Sequence, residues 1–373
     1  MEVHLHECVG RTSCARGLSP ALIHFTIVPA SGERQEPSWR RGSVSDRALK
    51  MKMCVWLAVL VLTALPKTAL AQFHEWTAEP LKGVQINTVA FKAWLPVRTE
   101  PLRGTLLLIP GRHGDGRSLA ADAKWQELGS SVGFAVVGCQ FADGEPFPYQ
   151  NEVQGEVARA ISSAVSHLAQ LSKHPELEKA PLAFWGTSAG ANVAVNYATV
   201  FPARVAAIAT SKGTSGPRTE LPPGKDEIPM FFAIGEKDKP EWVADSKKNI
   251  EAGLKKRAPW TMAVSKKEGH EVGKSLNVAR PLLRAAIEQR LQAPKAAAGA
   301  TSIFKTTPRP IGGSSTRAVA PVRLAKIDPR TGWLGDPDTY EVAPASTLKG
   351  GKREAVWLPD ESTAKAWQAY LRP

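Results

Sequence analysis

Cysteine is scarce in this chain, which has four cysteines among its 373 residues. Cys8, Cys14 and Cys54 all precede residue 72, so a chain that began at residue 72 would keep only Cys139. A single cysteine forms no intramolecular disulfide, and the hydrophobic core must then hold the fold by itself. No C-x-x-C pair or Cys/His cluster has the spacing of a zinc site. We therefore expect neither a metal nor a cofactor.

Long hydrophobic runs are also missing, apart from one short run near the start. The segment MKMCVWLAVLVLTALPKTALAQ begins at Met51, has a basic Lys52 and ends in Ala69-Leu70-Ala71 before a glutamine. This layout is typical of a secretory signal peptide with an A-x-A cleavage site. The apolar run is shorter than the about 20 residues that span a bilayer. We predict cleavage after Ala71, a secreted or periplasmic protein and no integral membrane anchor; the alternative is a buried strand or helix.

Fifty residues precede this segment, although a signal peptide normally begins the chain. Residues 1–50 show no sustained hydrophobic periodicity and contain scattered Arg, Ser and Pro. We expect them to reflect an over-long gene model, with initiation at Met51 or Met53 and a signal peptide over 51–71. The alternative is a disordered extension, which would block ordinary export.

Acidic residues are outnumbered by basic ones, and the formal net charge is +13. The basic residues are spread along the chain, and no basic–aromatic motif accompanies them. Such a distribution is typical of a solvated surface and argues against nucleic-acid binding. It favours acidic polymers or an anionic cell surface only weakly.

Strand-like and helix-like segments alternate over 72–292. Apolar segments at 104–111 and 133–141 are typical of strands buried on both faces. The segment 84–96 alternates as an edge strand would, and 118–132 predicts a helix. Further strands are predicted at 182–186, 204–210, 228–235 and 260–265, and further helices at 151–171, 189–201, 241–256 and 275–292. This order predicts one α/β domain with a mostly parallel, doubly wound sheet flanked by helices.

The composition changes after Gln292. Residues 293–324 are rich in Ala, Thr, Pro, Gly and Ser and predict a linker or extended surface segment. Residues 325–373 carry too many large apolar groups for a free tail, including Trp333, Trp357 and Trp367. A helix is predicted to start near Glu361, after Pro359-Asp360. We therefore predict a Trp-rich C-terminal tail that packs on the main domain.

A G-x-S-x-G motif lies between the apolar strand LAFWG and a helix-forming segment. In a doubly wound sheet, a strained strand-to-helix turn can display a serine nucleophile, and glycines two residues before and after it relieve the crowding. Gly186, Ser188 and Gly190 meet this requirement. The helix N-terminus also directs free N–H groups toward developing negative charge. We predict Ser188 as the nucleophile and the backbone N–H of Ala189 as an oxyanion donor; the alternative is a structural serine.

Histidine is rare after Ser188, where His270 is the single one. On this architecture the chain order is serine, acid, histidine, with the histidine in a loop at the carboxyl edge of the sheet. His270 follows a predicted strand and precedes a predicted helix, as that order requires. His113, His167 and His174 all precede the serine. His270 is therefore the predicted general base, although a lone histidine is often an ordinary surface or core residue.

The acid should follow the strand before that of His270. Asp238 lies just past the apolar IPMFFAIG, where it would hold the imidazole tautomer and stabilise the imidazolium. Glu236 and Asp245 are competitors. A further alternative is an aspartate that caps the helix beginning near Pro240.

The loop PGRHGDGR follows a predicted buried strand and is expected to supply the second oxyanion donor. Its glycines let the backbone approach a substrate closely. We predict the backbone N–H of Arg112 as this donor, with that of His113 as the alternate. The side chains of Arg112 and His113 are predicted to shape the pocket, and His113 to contact substrate. An ordinary glycine turn is the alternative.

The elbow at 186–190, with Asp238 and His270, resembles the α/β-hydrolase superfamily over roughly 84–292. PGRHGDGR and the short strand-to-helix spacings are similar to secreted dienelactone-hydrolase-like, feruloyl-esterase-like and polyhydroxybutyrate-depolymerase-like enzymes. The resemblance implies an α/β-hydrolase fold and a serine esterase.

The leading hypothesis is a secreted serine hydrolase that cleaves carboxylic esters and needs no cofactor. A peptidase or an acyltransferase on the same fold is a close alternative, although nothing resembles an oligopeptidase propeller. A catalytically silent, basic, cell-wall-associated binding protein is the alternative from another class. The intact order Ser188, Asp238, His270 argues against a silent protein.

Overall fold

The computed structural model describes residues 72–81, 86–98, 100–143, 155–213, 227–291, 323–347 and 355–372. Residues 1–50, the predicted signal peptide at 51–71 and all but the last two residues of the predicted linker at 293–324 lie outside this part. Within it, no helix is long and apolar enough to cross a membrane.

One eight-stranded sheet forms the centre of the described chain. Its strands are β1 (Gln72–Ala78), β2 (Ile86–Leu95), β3 (Gly104–Ile109), β4 (Phe134–Asp143), β5 (Leu182–Thr187), β6 (Val205–Ser211), β7 (Met230–Gly235) and β8 (Trp260–Ser265). The order across the sheet is β1-β2-β4-β3-β5-β6-β7-β8. β2 is antiparallel to both β1 and β4, whereas the pairs from β4 through β3 to β8 are parallel. The predicted mostly parallel sheet is confirmed.

In the described ranges, four helices connect parallel strands of the sheet and a fifth follows its last strand. They are α1 (Ala123–Val132), α2 (Glu156–Leu171), α3 (Ala189–Val200), α4 (Pro240–Lys255) and α5 (Leu276–Leu291). A parallel strand pair requires such crossovers, because its second strand must start at the same end as the first. The carboxyl ends of β5, β6, β7 and β8 therefore share one edge, where the loops that follow them meet.

The helix predicted over 118–132 is interrupted. Residues Arg117–Ala121 form a 3-10 turn, and α1 begins only after Asp122. The Asp122 carboxylate accepts hydrogen bonds from the amides of Lys124 and Trp125, which satisfies two of the free donors at the helix start. The helix ends at Gly133, whose φ of 74° suits glycine.

The core lies on both faces of the central strands. Every residue of β3, β6 and β7 is buried, which explains why these strands read as continuous apolar runs in the sequence. Cys139, in β4, is also fully buried, and burial raises the pKa of its thiol. This cysteine is therefore a small core residue and not a reactive group.

The segment 84–96 does not form the edge of the sheet. Its strand β2 lies between β1 and β4, and β1 forms the edge. All residues of β1, QFHEWTA, are exposed or half-buried. Because the few apolar residues among them form no run, the sequence did not predict a strand here.

The C-terminal tail packs on the domain through a second sheet and a helix. Strands β9 (Trp333–Gly335), β10 (Val342–Pro344) and β11 (Val356–Leu358) form a three-stranded antiparallel sheet, followed by α6 (Glu361–Leu371). Asp360 caps α6 by accepting the amide of Thr363. Trp357 and Trp367 are fully buried, whereas Trp333 is partly buried against the core. The predicted packing of the tail is confirmed.

The tail covers β8, the last strand of the large sheet. The indole N–H of Trp367 donates to the carbonyl of Met262 at 2.8 Å, and the hydroxyl of Thr261 donates to the carbonyl of Trp357. A sheet edge without such partners exposes unpaired backbone groups that invite association.

Candidate active site

Ser188 is the single residue between β5 and α3. Its backbone has φ 52° and ψ −120°, a conformation that residues other than glycine rarely adopt. The amide of Ser188 donates to the carbonyl of Ser211 at the end of β6, and its own carbonyl accepts from the amide of Ala191, both at 3.0 Å. The sharp turn therefore lifts the side chain above the carboxyl edge of the sheet and holds it there. Its hydroxyl makes no capping bond to α3.

The two glycines of the motif let strand and helix approach closely. A Cβ on Gly186 would lie 2.3 Å from the carbonyl oxygen of Gly190. A Cβ on Gly190 would lie 2.3 Å from the carbonyl oxygen of Ile109 in β3. Both distances are shorter than any van der Waals contact, so this turn requires glycine at both positions.

Three side chains form a continuous hydrogen-bonded chain at this edge. Nε2 of His270 lies 2.8 Å from Oγ of Ser188, and Nδ1 of His270 lies 2.6 Å from Oδ2 of Asp238. The carboxylate accepts a hydrogen bond from Nδ1–H, which leaves Nε2 as the acceptor for the serine hydroxyl. The structure thus brings together the three residues that the sequence predicted as nucleophile, base and acid.

The carboxylate of Asp238 and the imidazole of His270 differ in their exposure to solvent. The side chain of Asp238 is 9% exposed, whereas that of His270 is 40% exposed. His270 contacts Asp238 and neither Glu236 nor Asp245 among the hydrogen bonds of the described residues. Lys239 occupies the N-cap position of α4 without a side-chain capping bond, and Oδ1 of Asp238 accepts the amide of Lys239 at 2.8 Å, while Oδ2 faces His270. The carboxylate is therefore shielded and the imidazole faces the solvent-accessible side.

The glycine loop after β3 lies against the serine. A Cβ on Gly111 would be 3.3 Å from the Cβ of Ser188. Arg112, the next residue, is half-buried, and His113 is exposed with a φ of 63°. Ala189 is the first residue of α3, so its amide has no carbonyl one turn earlier in the helix. The predicted oxyanion donors thus lie in two segments that adjoin Ser188, and their roles remain predictions.

Trp242, which was not predicted from the sequence, forms an aromatic wall beside the histidine. Its ring centroid lies 5.0 Å from that of His270. Nζ of Lys239 lies 4.3 Å from the centroid of the same Trp242 ring. A small cavity behind the histidine is bounded by Trp242, Gly213 and Ser246. The sequence could have indicated Trp242 only by its position, since it lies in the first turn of the helix that follows Asp238.

A buried ion pair beside the site was also missed. Nζ of Lys212 lies 2.6 Å from Oε2 of Glu268, two residues before His270. Burial raises the pKa of the Glu268 carboxyl, but hydrogen bonds from Lys212, Tyr370 and the amide of Lys274 outweigh it and hold that pKa below its usual range. Glu268 is thus an ionised carboxylate at neutral pH.

No group of three or more His, Cys, Asp or Glu side chains in the described ranges could hold a metal ion. The site consists of a hydroxyl, an imidazole, a carboxylate and nearby backbone amides. Such a set can supply a nucleophile, a proton acceptor and hydrogen-bond donors for an oxyanion.

The strand order and the strained serine turn define the α/β-hydrolase fold. An antiparallel β2 precedes the parallel strands, and the serine follows β5 at the carboxyl edge. The histidine and the acid follow β8 and β7, in the chain order that this architecture uses.

Solved structures of esterases and hydrolases are similar to this chain at low identity. A ferulic acid esterase is 13% identical, with a TM-score of 0.46, covering 60% of this chain and 99% of its own. A bacterial heroin esterase is 14% identical, with a TM-score of 0.43, covering 65% and 92%. The S-formylglutathione hydrolase FrmB from Staphylococcus aureus is 11% identical, with a TM-score of 0.44, covering 59% and 100%. No protein-family model and no curated protein matches the chain. The fold assignment rests on the topology and the elbow, not on these likenesses.

Proposed function

We propose that this protein is a secreted serine hydrolase that cleaves carboxylic esters. The observation that carries the proposal is the chain Ser188–His270–Asp238, with contacts of 2.8 and 2.6 Å, on a turn of positive φ. A serine hydroxyl is inert without a base, and a histidine without an orienting partner can present the wrong tautomer. The arrangement supplies both.

In the proposed reaction, Oγ of Ser188 bonds to the ester carbonyl carbon while Nε2 of His270 takes the hydroxyl proton. The carbonyl π electrons move onto the oxygen, where the backbone N–H groups of Ala189 and Arg112 stabilise the charge. Collapse of this intermediate breaks the C–O bond, and the alcohol leaves with the proton from Nε2. Water, activated by the same imidazole, then releases the acid and restores Ser188.

Asp238 remains ionised throughout this cycle. Its carboxylate keeps the proton on Nδ1 and stabilises the imidazolium that forms when Nε2 is protonated. Its shielded position strengthens this interaction, because less water competes for the carboxylate.

The proposal includes export. The pattern at 51–71 supports cleavage after Ala71, and such cleavage would retain all of the described strand β1 (Gln72–Ala78). N-terminal sequencing of the exported protein tests this. A start at Gln72 is expected, and an exported form that retains residues before Met51 would contradict it.

The enzymatic proposal is tested with p-nitrophenyl and hydroxycinnamoyl esters. Ser188→Ala should lower kcat by at least about 10⁴-fold with the fold intact. Ser130→Ala, at an exposed position of α1, serves as the matched control and should hydrolyse at the wild-type rate. Hydrolysis that survives in Ser188→Ala would overturn the proposal.

Product analysis separates the alternatives. Release of free acid and alcohol in water is expected. Transfer of the acyl group to an added alcohol in preference to water would identify an acyltransferase. Hydrolysis of peptides that depends on Ser188 would identify a peptidase.

A further inference from the structure

Glu268 connects the loops that carry the base and the acid. Its Oε1 accepts the amide of Lys274 at 2.8 Å, which closes the loop that holds His270. Its backbone carbonyl accepts the amide of Lys237 at 3.0 Å, directly before Asp238. One residue thus fixes the loop after β8 and joins it to the loop after β7.

The ammonium group of Lys212 connects this residue to the serine turn. Lys212 is 3% exposed and follows Ser211, whose carbonyl accepts the amide of Ser188. Its φ of 51° turns the chain at the end of β6, and its Nζ lies 2.6 Å from Oε2 of Glu268. The end of β6 therefore contacts both the nucleophile turn and the histidine loop.

The third partner of this carboxylate comes from the C-terminal tail. The hydroxyl of Tyr370, in α6, donates to Oε2 of Glu268 at 2.5 Å and accepts from Nζ of Lys212 at 3.1 Å. Burial raises the pKa of this phenol, and so does its hydrogen bond to the carboxylate. The phenol therefore keeps its proton at neutral pH and donates a hydrogen bond to the Glu268 carboxylate. The bond from Trp367 to Met262 fixes α6 one turn earlier.

We propose that Tyr370 is a positioning residue for His270. Its hydroxyl and the Lys212 ammonium hold the Glu268 carboxylate in the orientation that closes the histidine loop. This inference rests on the proposed hydrolase function. It assigns to the tail a part in catalysis that is separate from its packing.

The physical reason is the geometry of the carboxylate. Oε2 of Glu268 has two side-chain donors, and Oε1 has the amide of Lys274. Without the phenol, the carboxylate can rotate toward Lys212 alone, which weakens the bond from Oε1 to the loop. A base displaced by about 1 Å from its nucleophile can cost up to 10²-fold in rate.

Tyr370→Phe tests the proposal by removing one hydroxyl and keeping the ring. Its matched control is Tyr340→Phe, which removes the phenolic hydroxyl of the tail's other tyrosine, a ring that contacts Trp367. For Tyr370→Phe we expect kcat to fall about 10-fold or more, with KM nearly unchanged. Tyr340→Phe should keep the wild-type kcat.

A double-mutant cycle with Glu268→Gln separates positioning from simple packing. If Tyr370 acts through Glu268, adding Tyr370→Phe to Glu268→Gln should lower kcat little further. Independent effects would instead multiply. If Glu268→Gln does not fold, the single variants Tyr370→Phe and Tyr340→Phe still decide, with thermal melting measured for both.

The outcomes for the two proposals are distinguishable. If wild-type hydrolysis does not depend on Ser188, the proposed function itself fails. If it does, and Tyr370→Phe has the same kcat as Tyr340→Phe, only the positioning role is overturned. A lower melting temperature of Tyr370→Phe with an unchanged kcat per folded molecule would also overturn it.

Discussion

The backbone of Ser188 is strained so that its hydroxyl can face the histidine. A residue other than glycine at a positive φ costs on the order of 1–3 kcal/mol. The bonds of its amide to Ser211 and of its carbonyl to Ala191 hold it in this conformation. His270 and Asp238 then need no strain of their own, because the loops after β8 and β7 bring them within hydrogen-bonding distance.

Asp238→Asn tests the assignment of the acid at the scale of one residue. An amide at this position can orient the imidazole with its proton on the wrong nitrogen, and a loss of up to about 10⁴-fold in kcat is expected. Glu236→Gln is the control, because Glu236 is exposed and lies two residues away. Steady-state hydrolysis rates check the ranking. A larger loss for Glu236→Gln would transfer the role to that residue.

The elbow is a property of three elements together: β5, α3 and the neighbouring β3. The carbonyl oxygen of Ile109 in β3 occupies the space where a side chain on Gly190 would lie. The same crowding brings the first turn of α3 and the loop after β3 next to the serine. The oxyanion donors of the proposed mechanism depend on this crowding.

Gly190→Ala tests the elbow at the scale of elements. The added methyl group must displace α3 from β3, and overpacking of this kind typically costs about 1–3 kcal/mol. Gly129→Ala in α1 is the control, since its Cβ would lie 2.5 Å from Cγ2 of Val136, away from the serine. Both variants should melt at lower temperatures, and only Gly190→Ala should lose activity per folded molecule. Equal kcat values in the two variants would contradict the account.

The sequence predicted those elements whose pattern reflects their own burial. The strand predicted at 260–265 matches β8, because all but one of its residues are buried and a turn follows it. The edge strand β1 was missed, since its exposed positions give no apolar run. The helix predicted at 118–132 was too long, because the capping role of Asp122 depends on a turn that hydrophobic periodicity does not reveal.

The same reasoning explains what could be predicted of the site. Ser188, Asp238 and His270 follow from chain order and from the positions of strands. The contact of Lys212 with Tyr370 does not, because these residues are 158 positions apart and neither belongs to a motif. Trp242 likewise depends on how α4 packs beside the loop of His270.

On the scale of the whole molecule, the C-terminal tail covers the last strand of the sheet and reaches the catalytic edge. The rings of Trp357 and Trp367 are buried, and the carbonyl of Met262 in β8 accepts the indole N–H of Trp367. Full burial of a large apolar side chain contributes about 1.5–3 kcal/mol. The tail therefore stabilises the edge that would otherwise be open.

Trp367→Ala tests this packing. Removal of a fully buried tryptophan is expected to lower the free energy of unfolding by about 3–5 kcal/mol. Trp333→Ala is the control, because this side chain is only partly buried and should cost less. Urea unfolding measures both. A stability of Trp367→Ala equal to that of the wild type would show that the tail is only loosely attached.

Covalent labelling of the nucleophile tests the central claim most directly. Wild-type protein is incubated with a fluorophosphonate, and the adduct is located by peptide mass spectrometry. The account predicts one adduct, on Ser188, and a labelling rate in His270→Ala that is lower by at least about 10²-fold, because the histidine supplies general-base catalysis. An adduct on another residue, or equal labelling rates with and without His270, would contradict it.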